Sequence, residues 1–232
     1  MFFRFPKMKE RWKMKPEIIR TSDGSDTLYI PELKENYHSI NGAIQESVHV
    51  FINCGLNSLN KKEFKIFEIG FGTGLNVLLT FIEALKKDLS ITYHSIEKFP
   101  LDNKLVSKLN YPEILGKKYR SIYNTIHSCK WNLEFELSES FLFKKIEADF
   151  NEYTFQTNYD LIYFDAFAPD VQPKMWSEKN FAKIKNALNP GGILTTYSSK
   201  SSVRKAIQSA GFKVEKLPGP PGKIEITRAS VL

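Results

Sequence analysis

The residue types with most chemical potential are a glycine run and four acids. The run is Glu68-Ile-Gly70-Phe-Gly72-Thr-Gly74-Leu-Asn76. An apolar stretch precedes it at 64–69 and another follows at 75–85, the order of a strand, a glycine turn and a helix. Glycine suits a backbone that turns tightly or meets a ligand with no Cβ in the way. The N–H groups at the helix start then face whatever is bound, and a nucleoside cofactor fits such a loop. Three further acids, Glu97, Asp149 and Asp165, each close a stretch that reads as a strand. Ligands of open α/β sheets bind beyond the carboxyl ends of strands, so all three are candidate contacts.

Spacing selects the cofactor. The dinucleotide fingerprint is G-x-G-x-x-G, but here the glycines fall as G-x-G-x-G and Leu75 stands where the third is required. The pattern E-x-G-x-G-x-G resembles motif I of class I S-adenosylmethionine (SAM) methyltransferases, whose loop wraps the methionine part of SAM. On this reading Glu68, Gly70, Gly72, Gly74 and Asn76 bind the cofactor. Glu97 accepts hydrogen bonds from the ribose hydroxyls, and Asp149 meets the adenine amino group.

Asp165 lies in Phe164-Asp165-Ala-Phe167-Ala-Pro169. Asp-x-Phe-x-Pro is similar to the Asp-Pro-Pro-Tyr type of motif in enzymes that methylate amino nitrogens. Methyl transfer from a sulfonium needs an in-line lone pair, and an alkylamine at neutral pH is mostly protonated. A carboxylate beside the methyl group orients the amine and takes up its proton. Asp165 is therefore the candidate catalytic residue as well as a cofactor neighbour, with Phe167 and Pro169 as pocket walls.

The elements that must hold these residues alternate from residue 61 onward, as in a parallel sheet. Strands are expected at 64–69, 91–96, 161–164 and 193–197, and helices at 75–87, after Pro100, at 177–188 and at 201–210. Ser177 is the expected N-cap of the third helix, and Asn189-Pro190-Gly191-Gly192 is expected to break it. Residues 131–137 and 141–146 alternate as a hairpin or as a strand with an insertion. Residues 212–217 and 224–228 suggest a final antiparallel pair around Pro218-Gly-Pro-Pro-Gly222. Upstream, 28–30 reads as a short strand and 40–56 as a helix with Ile44, Val48, Phe51 and Ile52 on one face. The expected division is an N-terminal extension at 1–60 packing on a Rossmann-like methyltransferase domain at 61–232. The fold class is α/β, a mostly parallel sheet with helices on both faces.

Composition narrows the function classes. Hydrophobic residues are 42% of the 232, enough for a sizeable core, and no apolar run approaches a membrane span of about 20 residues. The basic, aromatic N-terminus lacks a signal-peptide core, so a cytoplasmic protein is expected. Cys54 and Cys129 have no C-x-x-C partner and the four histidines have no metal spacing, which points to metal-free chemistry. Lys and Arg outnumber Asp and Glu by 33 to 26, a net charge of +7 that favours encounter with a polyanion.

Stretches along nearly the whole chain resemble the MnmD family, equivalent to the methyltransferase half of bifunctional MnmC proteins. They include Thr21-Ser-Asp-Gly-Ser-Asp-Thr-Leu-Tyr29, Glu46-Ser-Val-His-Val-Phe51, Ile96-Glu-Lys-Phe-Pro-Leu101, Asp165-Ala-Phe-Ala-Pro169, Pro173-Lys-Met-Trp176 and Gly219-Pro-Pro-Gly-Lys223. The resemblance implies SAM-dependent methylation of the side-chain amine of 5-aminomethyl-2-thiouridine at the tRNA wobble position. No room for an oxidase domain follows the last expected strand, so the resemblance implies either a separate flavin-dependent oxidase as upstream partner or another route to the amine. On this reading Lys174, Lys200, Arg204 and Lys223 contact anticodon phosphates. Phe71, Trp176 and Tyr197 are candidates to stack on the displaced base, although for Trp176 a place in the core is the preferred reading. The chain departs from the family at Ala166, where glycine is frequent, and at Ile224, where arginine is frequent, so that arginine's binding role does not carry over. Two other readings are methylation of a small-molecule or protein amine, and a non-catalytic SAM- or RNA-binding module.

Overall fold

The computed structural model describes residues 15–231. The basic N-terminal residues 1–14, with the start of the 1–60 extension, lie outside the described residues. The first elements are β1 (Glu17–Arg20), β2 (Asp26–Ile30) and β3 (Glu35–Asn36), an antiparallel sheet in that order. Next comes α1 (Ala43–Ser47), which runs into a π-helical stretch at Val48–Asn53 and a 3-10 turn at Leu56–Ser58. The spacing over 40–56 predicts a single α-helix, and the chain departs from it. The wider winding, with Cys54 N–H bonded to the His49 carbonyl, turns Val50, Phe51 and Ile52 all into the core.

The main sheet begins with β4 (Glu63–Ile69), followed by α2 (Leu75–Lys87) and β5 (Ser90–Glu97). Three helices follow, α3 (Asn103–Val106), α4 (Tyr111–Leu115) and α5 (Arg120–Ser128), and then the strands β6 (Glu134–Ser138) and β7 (Phe141–Glu147). β8 (Tyr159–Phe164), α6 (Glu178–Asn186), β9 (Leu188–Thr196), α7 (Ser201–Ser209), β10 (Lys213–Pro218) and β11 (Glu225–Ser230) complete it. The strand order is β10-β11-β9-β8-β4-β5-β7-β6. β7, β5, β4, β8 and β9 run parallel, while β6, β10 and β11 pair antiparallel at the two edges. The chain leaves β4 toward β5 and later returns to its other side with β8, which makes the β4/β8 boundary the switch point where ligands bind.

Alternation along β4 sorts its side chains between two cores. Phe64 and Ile66 join the cluster with Val77, Leu78 and Phe81 of α2. Phe67 and Ile69 join the opposite cluster with Phe181 and Ile184 of α6 and Val203 and Ile207 of α7. Helices therefore cover both faces, and this fixes β4 to within one register.

Residues 131–146 form a hairpin, bulged between Glu136 and Ser138. Ser177 caps α6 by accepting from Asn180 N–H. Asn189-Pro190-Gly191-Gly192 does not separate helix from strand, because β9 already begins at Leu188. The extra residues are absorbed as an irregularity opposite Tyr159 and Leu161. No helix among the described residues is long and apolar enough to cross a membrane.

Candidate active site

A cavity of about 1030 Å³ opens at the carboxyl ends of β4, β5 and β8 and is closed on one side by residues after β2. The glycine loop forms its floor. Asp165 N–H donates to the Ile69 carbonyl at 2.9 Å, so the ends of β4 and β8 lie edge to edge. Gly70 has φ +99°, and a Cβ there would overlap the Asp165 carbonyl oxygen. Only glycine allows the two strand ends this approach. Gly72 N–H donates to Glu97 Oε2 at 3.2 Å.

Two residues of the glycine motif stand elsewhere than expected. Gly74 does not line the cavity; it is the left-handed N-cap of α2, where a Cβ would press on the His127 ring at 2.9 Å. Glu68 is also outside the cavity and fully buried, because strand alternation turns it toward α2. It accepts from Asn76 Nδ2 at 2.9 Å and from Ser95 Oγ at 2.6 Å. Burial pushes its carboxyl up to about 8. The same Asn76 Nδ2 donates to Asp165 Oδ2 at 2.9 Å, so one amide ties the buried acid to the acid at the cavity.

Glu97 is held at the end of β5, with Phe99 N–H on Oε1 at 2.8 Å and Gly72 N–H on Oε2. Asp149 lines the same cavity and binds Lys98 Nζ at 2.6 Å and Asn151 N–H at 2.9 Å. Burial alone would raise its carboxyl, but the hydrogen bonds from Lys98 and Asn151 outweigh it and hold the group below its ordinary value. Asp165 is half-buried on the cavity wall. Burial and the neighbouring Glu46 carboxylate push it up to about 7, against the Asn76 hydrogen bond and Lys223. A carboxyl poised there exchanges protons at neutral pH.

A family model described as S-adenosyl-L-methionine-dependent methyltransferase matches residues 111–231, just over half of the chain. The chain belongs to this family. Among curated relatives of the methyltransferase, the "tRNA 5-methylaminomethyl-2-thiouridine biosynthesis bifunctional protein MnmC" of Leptospira borgpetersenii serovar Hardjo-bovis is 32% identical over 221 residues. The match covers 88% of this chain and 32% of that protein. The protein of the same name from Campylobacter hominis is 30% identical over 208 residues, 87% of this chain and 31% of its own. The methyltransferase thus spans about a third of the length of these relatives. The crystal structure of MNMC2 from Aquifex aeolicus superposes with a TM-score of 0.76 at 28% identity, covering 94% of this chain and 70% of that one.

The cavity fits the family's methyl donor, SAM. Its volume exceeds what one nucleoside-sized ligand needs. Gly70 and Gly72 both line it, and a Cβ at Gly72 would stand 3.1 Å from the Tyr37 ring. Glu97 lines the cavity at the end of β5, its two oxygens held by Phe99 N–H and Gly72 N–H. We expect Glu97→Ala to weaken SAM binding about tenfold by calorimetry, the order of one lost charge-assisted pair of hydrogen bonds; unchanged affinity would remove Glu97 from the ribose site.

The expected RNA contacts divide. Phe167 lines the cavity, edge-on to Tyr37 at 5.0 Å, and Lys174 and Lys223 line it too. Arg204 does not: it is buried in α7, pairs with Glu225 at 2.8 Å and donates to Thr227 Oγ1 at 3.1 Å. It fastens α7 to β11 and has no face for phosphate. Trp176 is core, packed 4.7 Å from Phe164, and its Nε1–H donates to the Phe167 carbonyl at 2.8 Å. It therefore props the Phe167 loop and does not stack on a base. Pro169 lies outside the cavity wall, and Lys200, also outside it, pairs with Asp170. Phe71 and Tyr197 do line the cavity. Glu46 and Tyr37, which belong to no chemical motif, are brought to the wall by the N-terminal segment.

Proposed function

We propose that this methyltransferase methylates the side-chain amine of 5-aminomethyl-2-thiouridine at the tRNA wobble position. The observation that carries the reading is the place of Asp165, a carboxyl at the end of β8 on the wall of the SAM-sized cavity, steadied by Asn76 Nδ2. The names of the MnmC relatives, whose matched regions cover most of this chain, support the RNA substrate. When bound, SAM supplies a methyl group on a positively charged sulfur, and the bonding pair returns to that sulfur as the nitrogen lone pair forms the new N–C bond. Asp165 receives the ammonium proton that must leave first. Glu97 and Asp149 hold the nucleoside end, and Phe167 and Tyr197 shield the reacting nitrogen from water.

A base in a folded anticodon must leave its stack to reach this cavity. Lys98, Lys174, Lys179 and Lys223 line the cavity and suit the flanking phosphates. Raising salt from about 50 to 200 mM should weaken tRNA binding at least about tenfold, as expected for three or more neutralised phosphates; a flat response in a filter-binding titration would reject the basic rim as an RNA contact. The amine must be uncovered upstream, a step the resemblance gives to a flavin-dependent oxidase, and the proposed reaction is a cytoplasmic one. The test is to incubate protein, SAM and tRNA lacking only the final methyl, and to weigh the nucleosides. One added methyl on the wobble nucleoside is expected. No mass change there, with SAM bound, would return the chain to another amine or to a binding role.

A further inference from the structure

Before it can react, the substrate amine must be collected as a cation, and one corner of the cavity already holds a cation. Glu46, carried by α1, lines the cavity; its Oε2 accepts Ser39 N–H at 2.9 Å and its Oε1 pairs with Lys223 Nζ. Lys223 Nζ lies 4.3 Å from the centre of the Tyr197 ring. That ring is fixed beside the catalytic loop, because Tyr197 O–H donates to the Ala166 carbonyl at 2.8 Å. Carboxylate and aromatic face together are a general recognition set for an alkylammonium. Glu46 is also close enough to Asp165 to raise its carboxyl, so both acids address the same corner.

The occupant is attached differently from its partners. Lys223 follows the Pro218–Gly222 turn between β10 and β11, and its N–H donates to the Pro220 carbonyl at 2.9 Å. Gly222, with φ +85°, packs so closely on Asn41 that a Cβ would overlap its amide. The backbone is thus anchored, while the ammonium sits on a flexible four-carbon stem that can swing out alone.

We propose that Glu46, Asp165 and the Tyr197 ring form the subsite for the substrate's protonated primary amine, and that Lys223 Nζ holds the place until that amine displaces it. This rests on the amine-methylation reading and names the residues that recognise its substrate. Exchange of one ammonium for another keeps the corner's charge constant. Proton transfer to Asp165 then neutralises the amine and its acceptor together, leaving Glu46 as the group that retains the nucleotide side chain. The displaced Lys223 lies at the cavity edge beside the incoming nucleotide.

Benzylamine, a small primary ammonium on an aromatic ring, is a suitable probe. Its affinity is read by ligand-observed NMR on the full protein loaded with S-adenosylhomocysteine. Lys223→Met should tighten benzylamine at least about fivefold and Glu46→Gln should weaken it by a similar factor, the scale of a single charged interaction. The amide oxygen introduced by Glu46→Gln can still accept from Ser39 N–H, which keeps α1 in place. Equal affinities in all three proteins, or no binding to any of them, would overturn the subsite. On tRNA bearing the amine, Glu46→Gln should raise KM more than it lowers kcat; a fall in kcat alone would also count against it. If the wild type fails to methylate that tRNA, the RNA reading fails, and the benzylamine affinities still judge the subsite.

Discussion

Asp165→Ala is expected to lower turnover by about 10²–10⁴-fold, the range of a positioned general base, while SAM affinity stays within about threefold. Among the described residues the side chain accepts one hydrogen bond, from Asn76 Nδ2, and that amide keeps its bond to Glu68 when Asp165 is cut back. Single-turnover transfer of labelled methyl and calorimetry of SAM separate the two effects. Lost SAM binding with normal residual chemistry would reverse the assignment. The pH dependence has a definite sign. Asp165 accepts a proton only when ionised, and burial and Glu46 hold its carboxyl up to about 7. The rate with SAM limiting should therefore fall as pH drops through about 7 and level off above it. Glu46→Gln removes a neighbouring negative charge and should move that limb to lower pH.

Gly70→Ala is expected to be as damaging for a different reason. The added methyl meets two penalties at once, a φ of +99° and overlap with the carbonyl oxygen of Asp165. Left-handed strain and overpacking each cost about 1–3 kcal/mol, and the clash is with backbone, which cannot rotate away. Relief requires β4 and β8 to separate at the cavity floor, so SAM binding should weaken by more than stability alone implies. Gly191→Ala is the control: its φ is +73°, but a Cβ there would have no other atom within 4 Å. Urea unfolding should show a loss of about 2–6 kcal/mol for Gly70→Ala and clearly less for Gly191→Ala. Equal losses would mean that the approach to Asp165 is not what requires glycine.

Much of the frame is legible along the chain because it is set by local patterns. The apolar alternation at 64–69, the glycine turn and the apolar face at 75–87 correspond to β4, the loop and α2, and Ser177 caps α6 as its position implies. Residues 120–128 carry a further local signal: Tyr123, Ile126 and His127 have helical spacing and are the buried face of α5. Other features depend on partners distant in sequence. Arg204 reads as a free cation until Glu225 and Thr227 arrive on β11 to bury it. Glu46 and Lys223 are 177 residues apart and meet only because the β10–β11 turn packs on the segment before α1. Glu68 is a middle case. Its residue type suggests a ligand contact, yet it shares the parity of Phe64 and Ile66, which turn toward α2. Strand parity therefore points it inward, and its hydrogen bonds to Asn76 and Ser95 make it a buttress for Asp165 instead.

The most direct measurement is a crystal structure with sinefungin, a SAM analogue whose amine-bearing carbon replaces the methylated sulfur. That amine marks the region where the substrate nitrogen and the methyl group meet. A carboxylate oxygen of Asp165 within about 3 Å of it is the predicted result. The opposite result is sinefungin bound with both Asp165 oxygens beyond hydrogen-bond reach of the amine and another group, or water alone, facing it; that arrangement would contradict Asp165 as the base.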